Sequence, residues 1–390
     1  MATMTAERWE PNGRKRILSL DGGGVRGALS LGVLESVERL VRERLGREDA
    51  RLCDYFDLIA GTSTGSIIAA GLALGMSVEE LSKHYRTLGT TIFEKRWYRF
   101  GVLWPKYSEK ALSAALREIL GETTTLGDEK LKTGLMVITK RLDTSSVWPL
   151  TNNPRGPYYG PRADAPGHVP NKDYRLWQVI RASTAAPHYF SGEKLNIDAA
   201  IQGSDETRPA QVGVFVDGGA SPHNNPALQA LLYVCAKGYG IGWETGDDKL
   251  LIVSVGTGRK PPVKLRSFWY RLAAGHAGSA LVSVLDDNAQ LVETMLQWNS
   301  EALNPRIIDG ELGTMAGDLL AKAPLFSYLR YDADLTAEAL EELGQVLPPK
   351  ELEKIGDMDR PENIDRLFEI GRALGKRVAT DHFPRAFDPA

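Results

Sequence analysis

YFDLIAGTSTGSIIAAGLALGM, residues Tyr55 to Met76, has at its centre Gly61-Thr62-Ser63-Thr64-Gly65, a G-x-S-x-G. An apolar run from Tyr55 to Ala60 enters it and reads as a buried strand. An Ala/Ile/Leu-rich run from Ser66 to Leu74 leaves it and reads as a buried helix. Strand, G-x-S-x-G, helix is the context of a nucleophile elbow. The turn is so sharp that a Cβ at Gly61 or Gly65 would collide with it, and Ser63 is held strained at a helix N-terminus. Unpaired N–H groups and the helix dipole favour negative charge there. A membrane span is the rival reading, because Leu58 to Val78 carries no charge over 21 positions. Four glycines and five Ser/Thr in that span argue against it.

Outward from this stretch the chain repeats the same grammar. Arg16 to Leu20 is β-prone and ends at Asp21; Gly22-Gly23-Gly24-Val25-Arg26-Gly27 follows, then an amphipathic helix. Leu29, Val33, Val37, Leu40 and Val41 mark its apolar face, and Glu35, Glu38, Arg39, Arg42 and Glu43 its polar face. Further strands are expected at Leu135–Thr139, Val212–Val216 and Lys249–Val255, and helices at Tyr174–Ala185 and Pro226–Ala236. Residues 78–125 read as helical and cap-like, and 152–173 as a long Pro/Gly/Tyr-rich loop of the kind that is functional or mobile. Repeated βα units predict an α/β fold of three layers, α/β/α, around a mostly parallel sheet. We expect a loose polar tail over 1–13 and one catalytic domain over 14–390. Its motif-bearing core is 16–258, and its C-terminal part, 280–390, is mainly helical.

Composition narrows the class. A 390-residue chain with 43% hydrophobic and 25% charged residues can bury a large core. A net charge of −3 gives no global attraction to a nucleic acid polymer. Cys53 and Cys235, the two cysteines, form no metal pattern and suit a reducing compartment. The N-terminus has no apolar signal-like segment, so a cytoplasmic location is expected. The sequence sets no oligomeric state.

The glycine loop and a base complete the candidate chemistry. Gly22, Gly24 and Gly27 fit G-x-G-x-x-G after a strand, the dinucleotide pattern of an oxidoreductase. Against it, Asp21 would stand beside an anionic pyrophosphate, and residues 42–52, RERLGREDARL, do not read as the required second strand. Converging glycine N–H groups can instead hold the oxyanion of an acyl-transfer intermediate. Six histidines offer a triad base, but none lies in a distinctive motif. Asp217, ending Phe215-Val216-Asp217 before Gly218 and Gly219, is the better candidate, provided that a desolvated site raises its basicity. A turn-initiating Asp is the plain alternative.

Asp21-Gly-Gly-Gly-Val-Arg-Gly27, Gly61-Thr-Ser-Thr-Gly65 and Asp217-Gly-Gly219 in this order resemble the patatin-like phospholipases. Arg181-Ala-Ser-Thr-Ala-Ala-Pro187, Asn224-Asn225-Pro226 and Ser254-Val-Gly-Thr-Gly258 add to the likeness, with Arg-Ala-Ser-Thr where many relatives have Arg-Ala-Thr-Ser. The resemblance implies a Ser63–Asp217 dyad without a catalytic histidine. It implies an oxyanion hole from Gly22, Gly23, Gly24 and Arg26, phospholipase A-type hydrolysis through an acyl-enzyme, and no metal or cofactor. Carboxylesterase action on soluble esters and an idle storage or binding protein are the alternatives that share the fold. Some bacterial members are anti-phage effectors activated by cyclic nucleotides, so such an activator is a candidate partner, although no nucleotide-reading motif stands out.

The substrate would be a phospholipid membrane surface. Two basic-aromatic stretches, 93–107 with Trp97 and Trp104, and 259–271 with Arg266, Trp269 and Arg271, are candidates for a membrane-facing rim. Equally, their aromatics could pack in the core with the basic groups solvated outside.

Overall fold

The computed structural model describes residues 4–92, 109–187, 189–202, 207–260 and 287–389. Its frame is a nine-stranded sheet. Strands β1 (Lys15–Leu20), β2 (Leu58–Thr62) and β3 (Gly134–Arg141) lie side by side and parallel. Next come β4 (Ser146–Thr151), β5 (Glu193–Asp198), a small hairpin of β6 (Ile201–Gln202) and β7 (Thr207–Arg208), and β8 (Gln211–Asp217). The last strands are β9 (Leu250–Val255), β10 (Ser300–Ala302) and β11 (Phe326–Tyr331). The order is β10-β11-β9-β1-β2-β3-β8-β5, with β4 also on β3. Strands from β10 to β3 run parallel; β4 and β8 are antiparallel to β3, and β5 to β8.

The strands alternate their side chains between two apolar layers, which is why all six residues of β1, β9 and β11 are buried. Leu18, Leu20, Ile59, Val253 and Leu329 face one layer. It is built on α2 (Gly27–Leu45), α4 (Thr64–Ala73), α5 (Val78–Ile92), α6 (Glu109–Leu120), α7 (Leu176–Ser183) and α12 (Ile364–Gly375). Ile17, Leu58, Ala60, Ile252 and Tyr328 face the other, under α8 (Ala227–Cys235) and α9 (287–298). Short helices α1 (Met4–Arg8), α3 (Leu52–Tyr55), α10 (Ala337–Glu342) and α11 (Pro349–Ile355) complete the set. The fold is therefore the expected three-layer α/β/α arrangement. Among the described residues, no helix is long and apolar enough to cross a membrane.

Two expectations need correction. The N-terminal segment is not loose over its described part: α1 leads into Trp9, which is 0% exposed and packs on Tyr233 and Trp243. One buried indole outweighs its polar neighbours. The mainly helical C-terminal part also contributes β10 and β11, which extend the sheet beyond β9. Glu38 is not on a solvated face: it is buried, accepting Val78 N–H at 3.2 Å and Arg42 at 2.7 Å, because α5 starts against α2 there. The rim candidates Trp97, Trp104, Arg266, Trp269 and Arg271 lie outside the described residues.

Candidate active site

β2 ends at Thr62 and α4 begins at Thr64, so Ser63 alone makes the turn. Its backbone is at φ 53°, ψ −127°, a conformation costing a side-chain-bearing residue about 1–3 kcal/mol. A Cβ on Gly61 would lie 2.6 Å from the Gly65 carbonyl carbon, and one on Gly65 2.6 Å from the Asp21 carbonyl oxygen. Both glycines are thus fixed by backbone that cannot swing aside. The Ser63 N–H donates to Ser183 Oγ at 2.9 Å, and Ser183 donates on to the Ile138 carbonyl at 2.6 Å. The hydroxyl, in a residue only 9% exposed, donates to Asp217 Oδ2 at 2.6 Å.

Strand β3 brings the two together. Thr62 pairs with Ile138, and the next residue, Thr139, pairs with Asp217. Gly218 lets the chain turn tightly over β3, since its Cβ would stand 2.5 Å from the Ile138 carbonyl oxygen. Gly219 N–H donates to Asp217 Oδ1 at 2.7 Å. Asp217 is 5% exposed, and burial pushes its pKa up to about 6 against the pull of the Ser63 and Gly219 hydrogen bonds. A carboxylate so placed is a stronger base than one in water and already accepts a hydrogen bond from the hydroxyl whose proton a nucleophilic serine must give up.

The glycine loop lies against the same serine: a Cβ on Gly22 would sit 3.0 Å from Ser63 Cβ. Its hydrogen bonds sort its members. Gly22 N–H donates to the Asn224 carbonyl at 3.2 Å, while its own carbonyl accepts from Thr257 Oγ1 at 3.0 Å and Asn224 Nδ2 at 3.3 Å. Gly23 N–H has a long 3.3 Å contact with Thr64 Oγ1. Gly24, at φ +60°, has its carbonyl held by the Tyr85 hydroxyl, and Val25 N–H donates to the Met358 carbonyl at 2.9 Å. Arg26 donates from Nε to the Gly23 carbonyl at 3.3 Å and from Nη1 to the Gly258 carbonyl at 2.9 Å. In this structure the Gly22 N–H and the Arg26 guanidinium are therefore both taken up by carbonyls of the protein itself. Among the described residues Gly24 N–H has no acceptor, and Gly23 N–H has only the long contact to Thr64 Oγ1.

Asp21, read as a hindrance to pyrophosphate, turns away and makes a forked ion pair with Arg330 at 3.0 and 2.6 Å. No described histidine hydrogen-bonds to Ser63 or Asp217. His223 is nearest in the chain to the site residues, yet it is held through its backbone: its N–H donates to Ser221 Oγ at 3.2 Å, its carbonyl accepts from Thr62 Oγ1 at 2.7 Å, and burial lowers its ring pKa. His168 and His382 bond to Tyr158 and Tyr331, and His188 and His276 lie outside the described residues. Sequence reasoning missed Ser183, Thr257 and Arg330. The first two stood inside quoted motifs, and only the role was lacking; Arg330 stood inside Tyr328-Leu-Arg-Tyr331 with no chemical signal of its own.

Comparison with known proteins now adds to this geometry. The family model for patatin-like phospholipases matches residues 18–231, more than half of the chain. A Vibrio cholerae protein named cGAMP-activated phospholipase is 34% identical over 186 residues, 45% of this chain and 49% of that protein. An Escherichia coli protein of the same name is 31% identical over 182 residues, 46% and 48% respectively. The chain thus spans about half the length of these two relatives. Rice patatin-like protein 2 is 30% identical over 386 residues, 92% of this chain and 83% of that protein. On these matches the chain belongs to the patatin-like phospholipase family.

Proposed function

We propose that the protein is a lipid acyl hydrolase of phospholipase A type that works through a Ser63–Asp217 dyad. The observation that carries this reading is the 2.6 Å hydrogen bond from Ser63 Oγ to a buried, desolvated Asp217. Ser63 Oγ attacks the acyl carbonyl carbon as its proton passes to Asp217. The carbonyl oxygen becomes an oxyanion, which the Gly23 and Gly24 N–H groups receive; one such donor is typically worth about 2.7–4 kcal/mol of barrier. Collapse breaks the ester C–O bond, and Asp217 returns the proton to the departing lysolipid hydroxyl. Water then gives a proton to Asp217 and attacks the acyl-enzyme; fatty acid leaves and Ser63 regains its proton. No step needs histidine.

The names of the bacterial relatives support activation by cGAMP, and from the resemblance to the bacterial branch of the family we infer a regulated defence effector acting at the membrane surface. Fatty acid release from phospholipid vesicles, with and without cGAMP, tests both parts. Wild type should release fatty acid and lysolipid, Ser63→Ala none, and cGAMP should raise the rate. Hydrolysis of soluble esters alone, with vesicles untouched under every condition, would move the assignment to a carboxylesterase.

A further inference from the structure

We propose that Arg330 is a positioning residue for the oxyanion loop, acting from a strand that lies beyond the matched family region. The inference rests on the acyl-hydrolase reading above. Arg330 is 8% exposed on β11 and reaches across two neighbouring strands. It forks onto Asp21, donates from Nη1 to Ser254 Oγ on β9 at 2.7 Å, and from Nη2 to Asp332 Oδ2 at 2.9 Å. Asp21 is the residue from which the glycine loop starts. Asp332 Oδ1 accepts Gly258 N–H at 2.8 Å, and the Gly258 carbonyl accepts Arg26 at the loop's far end. Thr257 closes onto the Gly22 carbonyl from the same turn. One guanidinium therefore sits in a closed ring: Arg330, Asp21, the loop to Arg26, Gly258, Asp332 and back. Rigid placement of donors is what oxyanion stabilisation requires, since their value falls with small displacements.

Charge chemistry fits the assignment. Asp21, Asp332 and, 3.5 Å from Nε, Glu293 surround the guanidinium, and Arg306 stands 3.4 Å from Asp332. Burial pushes Asp21 up to about 6 even beside Arg330. Without the guanidinium, Asp21 would take a proton instead of remaining a bare buried anion, so the fold has a route to survive the change.

The test compares an aryl ester with its thionoester on full-length protein, with the same activator in every arm. Sulfur fits an oxyanion cradle poorly, so the oxo/thiono rate ratio reads donor placement separately from the amount of active enzyme. Arg330→Met should lose roughly tenfold or more in kcat on the oxo ester, with KM within about twofold, and a smaller loss on the thionoester. Arg330→Lys keeps the charge but not the fork, and should show an intermediate ratio. Unchanged kcat, or equal losses on both esters, would overturn the positioning role. If Arg330→Met does not fold, a wild-type ratio in Arg330→Lys overturns it as well. Ser63→Ala separates the two levels: if it hydrolyses both esters like wild type, the acyl-hydrolase reading fails and the positioning role fails with it.

Discussion

Asp217 carries two opposed consequences of one environment. Burial lifts its pKa from 3.8 to about 6, and in the proposed dyad only the carboxylate form accepts the Ser63 proton. The kcat/KM profile should therefore fall below about pH 6 with a slope of one, and Asp217→Asn should lose activity across the range. Stability runs the other way. The protonated form is favoured in the folded state, so the group's favourable contribution is full below about pH 4 and is lost as pH rises through 6. Above that the ionised carboxylate is a folding penalty on the order of 3 kcal/mol, from a shift of about two units. Asp217→Asn should accordingly raise the urea midpoint over wild type at pH 8, with the gap closing towards pH 4. An equal gap at both pH values would show that desolvation is not what sets this carboxylate. Ser63 and Asp217 were legible as candidates because the reaction restricts residue type and the elbow restricts its neighbours. Ser183 was not, because a hydroxyl that braces a backbone N–H leaves no spacing or charge to read.

Among the elements, the elbow is limited by space and the helix ends by conformation, and the two can be separated by substitution. Gly65→Ala places its Cβ 2.6 Å from a backbone oxygen of β1's end, so strand and helix must part. Gly46, the C-cap of α2 at φ +62°, has nothing within 4 Å of its added Cβ. Gly46→Ala should cost about 1 kcal/mol, while Gly65→Ala should exceed the usual overpacking range of about 1–3 kcal/mol or fail to fold, as read by denaturant midpoints. The strands legible in the sequence were those with short runs dense in Val, Ile and Leu: β1, β2, β3, β8 and β9. β4 was hidden by Pro149, which β4 tolerates because it pairs on one side only. β11 was hidden by the buried charge of Arg330, which reads as a surface residue. The direction of β8 was also invisible. An apolar run ending in Asp217 reads the same in either direction, whereas β8 runs antiparallel to β3 and brings Asp217 to the serine from the opposite end.

At the scale of the molecule, the region matching the family model ends at 231, but the sheet does not. β9 and β11 extend the sheet from β1, and each brings a group to the loop beside Ser63: Thr257 follows β9, and Arg330 lies on β11. The last long helix, α12, packs onto α2 at backbone distance: a Cβ on Gly32 would stand 2.7 Å from the Phe368 carbonyl oxygen, and one on Gly371 2.9 Å from the Leu29 carbonyl carbon. Such closeness needs glycine on both helices and leaves no room for α2 to find another cover. Deleting residues 325–390 would strip β11 from β9, leaving an unpaired strand edge that is apolar but for Ser254, and would bare the apolar surface of α2. It would also leave Asp21 without its guanidinium. Exposed strand edges and apolar helix faces both favour association over folding. The truncated chain should be insoluble or lack a cooperative thermal transition, and any soluble fraction should show less than about a tenth of the wild-type esterase rate. A soluble, cooperatively folding fragment with full activity would show instead that the tail is a separable appendage and that the loop beside Ser63 holds its shape without it.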